Sequence, residues 1–110
     1  MNLLSNRFEV PYYAVIFTSQ RTTGDQGYGQ MADQMESMGR DQAGFLGIES
    51  YRESSGAGVT ISYWKTLEDI RHWKSNPAHQ IAQDKGKQTW YQSYSVKICK
   101  VERAYDFENM

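Results

Sequence analysis

One histidine, placed two residues after a proline, and a set of tryptophans and tyrosines are the side chains here with the means to do chemistry. His79 falls on a helix opened by Pro77. A neutral imidazole there can accept a phenolic proton, after which the substrate anion can pass an electron to oxygen. The same residue can equally bond backbone or close a packed helix edge. Trp64, Trp73 and Trp90, together with Tyr13, Tyr63 and Tyr94, can line a flat pocket that stacks an aromatic ring and fixes its oxygens through indole N–H or phenol O–H groups. Taken singly, each of these rings can also be core. His72 points away from Leu67, Ile70 and Trp73 on its own short helix and is expected in solvent.

Other chemistries are disfavoured. The single cysteine, Cys99, excludes an intrachain disulfide and cannot build a thiolate metal site alone, and it reads as a small buried hydrophobe. The two histidines are separated by a proline break and the carboxylates are dispersed, so no metal is expected. No cofactor is expected either. Gly24-Asp25-Gln26-Gly27-Tyr28-Gly29 follows a strand and precedes a helix, yet its glycine order is wrong for a dinucleotide fingerprint and no Gly-Lys-Ser/Thr follows. It reads as a flexible loop. The net charge of -1, with scattered Lys and Arg, gives no footprint for nucleic acid or an anionic membrane. Met1 to Arg7 lacks the apolar stretch of a secretory signal, and a cytoplasmic protein is expected.

The chain has 110 residues, 39% hydrophobic and 23% charged, which suits one globular domain. An arm over 1–10, a domain over 11–107 and a short tail over 108–110 are expected. Tyr12 to Gln20 is rich in aromatic and β-branched residues and reads as a strand. Tyr28, Met31, Met35, Met38 and Gln42 recur at helical spacing, with an end near Gly44. The methionine stripe reads as core filler that would also suit a ligand-facing wall. Phe45 to Arg52 and Gly58 to Trp64 read as an antiparallel hairpin. Thr66 suits a helix N-cap, and Asn76-Pro77 restarts the helix as N-cap and first-turn proline. Trp90 to Ile98 alternates as strand four, with a bulge expected near Ile98.

The order β-α-β-β-α-β is the ferredoxin-like α+β arrangement, an antiparallel sheet with helices on one face. In a solitary sheet of this kind the helix-free face is polar. Here both faces look apolar. Tyr13, Val15 and Phe17 lie on one side of strand one, and Tyr12, Ala14 and Ile16 on the other; strand two offers Leu46 and Ile48 against Phe45 and Tyr51. Face-to-face pairing of two copies is the simplest closed solution, so a homodimer is expected.

Tyr63-Trp64-Lys65 running into Leu67-Glu68-Asp69-Ile70, then Trp73, His79, Ala82, Gly86 and Trp90-Tyr91, occur in an order that resembles the antibiotic biosynthesis monooxygenase family over roughly Tyr12 to Phe107. The resemblance implies a ferredoxin-like chain that forms a dimeric α+β barrel. It also implies cofactor-independent oxygenation of a small electron-rich aromatic, of quinol or anthrone type. Haem-degrading relatives use an Asn on strand one and a Trp and a His on the second helical segment. Trp73 matches that Trp, but the Asn position falls close to Phe17 and the His position near Ala82 or Gln83, so haem binding or degradation ranks third. A non-catalytic dimeric module that binds a small aromatic or apolar ligand ranks second. The same topology serves RNA-recognition modules, but Gly58 to Trp64 lacks their strand motif.

Overall fold

The computed structural model describes residues 8–109. Strand β1 (Tyr12–Arg21) leads through a glycine-rich loop into helix α1 (Tyr28–Arg40). The hairpin β2 (Phe45–Arg52) and β3 (Ala57–Trp64) follows, then α2 (Leu67–Lys74), α3 (Pro77–Lys85), a one-turn π-helix (Gly86–Trp90) and β4 (Tyr91–Val101). The sheet order is β2-β3-β1-β4 with every neighbouring pair antiparallel. This is the ferredoxin-like arrangement.

Local chemistry explains the breaks. Thr66 accepts from the Asp69 amide at 3.0 Å and starts α2, with Glu68 and Asp69 in the positive first turn. Asn76 accepts from the amides of Ala78 and His79 and restarts the chain as α3, with Pro77 in its first turn. The glycine-rich loop has its own cap. Asp25 accepts from the Gly27 and Gly29 amides, both at 3.1 Å, so its carboxylate fills the helix terminus that a phosphate would need.

Several boundaries differ from the sequence reading. Helix α1 stops at Arg40, because a turn over Asp41 to Gly44 is needed before β2. Trp90 belongs to the π-helix rather than to β4. The irregularity in β4 lies beside Gln92, opposite Gln20 and Arg21, while the register runs unbroken through Ile98. A second irregularity between Phe45 and Gly47 carries Phe45 to the same side as Ile48, since Phe45 opposes Trp64 and Ile48 opposes Ser62. Leu46 and Ile48 therefore part company. Cys99 is exposed, because β4 is an edge strand and nothing in the described chain covers it.

Both sheet faces mix apolar and polar side chains. Toward the helices, the strands present Ser19, Thr60 and Ser62 among Tyr13, Val15, Phe17 and Trp64. Away from them lie Tyr12, Ala14, Ile16, Val59, Ile61 and Tyr63, with Thr18, Glu49, Ser95 and Lys97 among them. Phe8 packs on the Tyr12 and Tyr63 rings at 5.4 and 5.7 Å between centroids and covers one end of that apolar face. A dry core has little use for hydroxyls, and a solvated face has little use for isoleucines.

Candidate functional site

The helix-facing side of β1 and β4 carries a continuous aromatic group. Phe17 stacks on Tyr94 at 5.1 Å and meets the edge of Tyr91 at 5.3 Å. Tyr91 in turn meets Tyr28, at the start of α1, at 5.8 Å, and donates its hydroxyl hydrogen to the Tyr28 oxygen at 3.4 Å. Burial pushes the Tyr91 phenol well above its ordinary pKa, and the Tyr28 hydrogen bond adds to the effect, so it remains a donor at neutral pH. Beyond this group, Val96 and Ile98 continue the same face of β4, opposite Phe17 and Val15, at 45% and 50% exposure. The outer part of the helix-side surface is an open apolar floor.

His79 lies on α3, stacked on Trp73 of α2 with ring centroids 4.5 Å apart and planes 19° from parallel. Trp73 also packs close to Gly39 of α1, so three helices meet around this pair. The imidazole Nδ1 is buried with no hydrogen-bond partner among the described residues. Desolvation lowers the His79 pKa, partly offset by the Trp73 backbone, and so favours the neutral ring. A neutral imidazole can accept a proton.

The remaining expected residues fall into different surroundings. Trp64 is 2% exposed, donates its indole N–H to Ser62 Oγ at 2.9 Å and meets Phe45 edge-on. Trp90 is also buried, with its N–H given to the Gln26 carbonyl at 2.9 Å. Both indole N–H groups are spent inside the fold. Tyr13 sits opposite Trp64 on the helix-facing side, and Tyr94 belongs to the Phe17 group. Tyr63 stands on the other face, where it donates to Glu49 Oε1 at 2.6 Å. Its pKa is raised first by burial and then by that carboxylate.

The structure thus brings His79 to Trp73, Tyr13 to Trp64, and Tyr94 to the β1–β4 aromatic group, and sets Tyr63 apart. Sequence reading did not single out Phe17, Tyr28, Tyr91, Arg21 or Arg52 as site residues, although all five cluster at one end of the helix-facing surface. Their signal is cross-strand register, fixed by the bulge at Gln92, and a single sequence does not display register. Met31, Met35 and Met38 line an open groove of about 530 Å³ against Ala78 and Ile81 of α3. They are half-buried wall rather than deep core. Among the described residues no helix is long and apolar enough to cross a membrane, and no three His, Cys, Asp or Glu side chains group as metal ligands.

A β2-β3-β1-β4 antiparallel sheet with helices on one face is the fold of the antibiotic biosynthesis monooxygenase class. Solved structures share it. The cofactor-independent oxygenase SnoaB of Streptomyces nogalater superposes with a TM-score of 0.74 at 10% identity, covering 84% of this chain and 95% of SnoaB. A candidate antibiotic biosynthesis monooxygenase of Caulobacter crescentus gives 0.74 at 9% identity, covering 84% and 92%. At such identities the likeness speaks for the fold alone. The chain belongs to the monooxygenase af470-like family, whose model matches residues 15–103. It is 48% identical over 108 residues to the uncharacterised protein YqjZ of Bacillus subtilis, covering 98% of this chain and 95% of that one.

Proposed function

We propose that the protein is a cofactor-independent oxygenase that takes a small electron-rich aromatic of quinol or anthrone type onto the helix-facing side of its sheet. The observation that carries this reading is the buried, neutral His79 imidazole with an unpartnered Nδ1, stacked on Trp73. Membership of a monooxygenase-like family supports it.

For an anthrone-type methylene the chemistry balances without an added reductant. His79 takes one C–H proton, and the resulting carbanion passes one electron to O2. The substrate radical and superoxide then combine to form a C–O bond. The imidazolium returns its proton to the peroxide. Loss of the second C–H proton with cleavage of the O–O bond leaves a carbonyl and one water. Phe17, Tyr91 and Tyr94, with Tyr13, shape the aromatic surface, while Trp64, Trp73 and Trp90 hold its walls. Phenol and hydroxyl donors already oriented there would stabilise the developing anion.

The same reading includes a homodimer closed through the helix-free face, where Ile16, Val59 and Ile61 are partly exposed in the single chain.

Oxygen uptake with a panel of anthrones and hydroquinones tests the oxygenase. Consumption above the spontaneous rate is expected, falling by about a hundredfold in His79→Gln, the scale of a lost general base. Uptake no faster than the spontaneous rate across the panel overturns it.

A further inference from the structure

Two guanidiniums share one ring at the end of the aromatic surface. Arg21 lies 3.7 Å over the Tyr28 ring and Arg52 5.9 Å from the same centroid. Among the described residues neither has a carboxylate within ion-pair distance. Arg52 is exposed and Arg21 half-buried, so two cations without a carboxylate partner stand near one ring at the rim of the surface.

Each is held rather than free to swing away. Arg21 donates through Nε to the Trp90 carbonyl at 3.1 Å and through Nη2 to the Gly24 carbonyl at 3.1 Å. Arg52 donates through Nη2 to Ser19 Oγ at 2.8 Å and through Nη1 to the Gly56 carbonyl. Its path crosses β3 at Gly58, where a Cβ would stand 2.7 Å from the Arg52 Cζ. A glycine inside a strand weakens it, and here the missing side chain is the channel through which Arg52 reaches β1. Arg21 Nη1 and Arg52 Nε have no hydrogen-bond partner among the described residues. Both guanidiniums lie near the Tyr28 ring, which meets the Tyr91 ring at 5.8 Å and so joins them to the aromatic group.

We infer that this corner recognises a carboxylate on the aromatic ligand, with the ligand ring against Phe17, Tyr91 and Tyr94 and its anionic substituent between Arg21 and Arg52. With Arg21 Nη1 and Arg52 Nε the nitrogens left unpartnered, a carboxylate between the two guanidiniums takes one charge-assisted hydrogen bond from each. Tyr28 and Ser19, already in contact with the two arginines, fix where those donors point. The substrate class narrows to electron-rich aromatic acids. This rests on the helix-side surface being the ligand site, and does not require turnover.

The test is calorimetric titration of the full chain with 2-naphthoate and with its neutral isostere 2-naphthamide at low ionic strength. The carboxylate is expected to bind at least about tenfold tighter, the scale of a charge-assisted pair. Arg52→Gln should bring that ratio close to one, and so should Gly58→Ala, whose added Cβ displaces the Arg52 guanidinium. Equal affinities in the natural chain overturn the inference. So does a carboxylate preference that survives both substitutions in folded protein, or binding of neither probe. Oxygen uptake with neutral anthrones but no carboxylate preference would remove the anion corner and leave the oxygenase standing; a carboxylate preference without oxygen uptake would do the reverse.

Discussion

A Cβ placed on Gly44 would stand 1.9 Å from Oδ2 and 2.8 Å from Cβ of Asp69, so the start of β2 is pressed directly against the first turn of α2. The same glycine accepts the Lys65 amide at 2.9 Å and has φ +80. Asp69 Oδ2 meanwhile accepts from the Thr66 hydroxyl at 2.8 Å, and the Asp69 amide is the one Thr66 caps. Gly44→Ala should therefore combine a left-handed alanine with a displaced cap, at a total cost of about 2–3 kcal/mol. Urea unfolding measures it. Adding Asp69→Ala should recover only the steric part, and a Gly44→Ala chain as stable as the natural one would show that the two elements are not in this contact.

Burial lowers the His79 pKa below its ordinary value of 6.5, which fixes the sign of a pH dependence. As pH falls through the unfolded-state value, the unfolded chain binds a proton that the folded chain refuses. Stability contributed by neutral His79 is thus complete above about pH 6.5 and is lost on acidification down to the depressed folded pKa. The urea midpoint should drop over that window, and His79→Gln should flatten this part of the profile. An imidazole titration followed by NMR that gave an ordinary or raised folded pKa would contradict the assignment of His79 as a neutral acceptor.

The fold was legible because its signals are local. Thr66, Asn76-Pro77 and the β-branched run of β1 act within a few residues of themselves, and all three stand where their chemistry puts them. The face assignment of β1 was legible too, since strict alternation needs only a period of two. What the sequence concealed depends on register between distant strands. One extra residue at Gln92 decides which β4 side chains join Phe17, and one irregularity after Phe45 moves that ring beside Trp64. Arg52 is the sharpest case. In sequence it ends a strand like any surface arginine, and only the pairing of β3 with both neighbours reveals that Gly58 opens its way to Ser19.

Asp25 should behave as the cap of α1 although it stands outside the helix. The helix begins after Gly27 at φ 85, has no acidic residue in its first turn, and its glycine cap offers no side-chain acceptor. The two amides that Asp25 satisfies would otherwise rely on water. Asp25→Ala is expected to cost about 1–2 kcal/mol, and Asp25→Asn to retain much of that through its amide oxygen. Thermal unfolding of the pair distinguishes this from a plain loop residue, for which neither change would register.

The helix-free face supplies the test of assembly. Glu49 accepts from Tyr63 at 2.6 Å and from Tyr51 at 3.3 Å, so each carboxylate oxygen has a phenolic donor on the surface that two copies would bury. A carboxylate so satisfied can enter a dry interface, whereas one with an oxygen left bare cannot do so cheaply. Tyr63→Phe should raise the dimer dissociation constant by about tenfold or more, the effect of one lost hydrogen bond to a charge. Ile61→Lys, at the centre of the same face opposite Ile16 and Glu49, should yield single chains outright. Sedimentation of the natural protein at micromolar concentration decides the matter: a stable, well-folded single chain would mean that Ile16, Val59 and Ile61 remain open to water and that the barrel does not form.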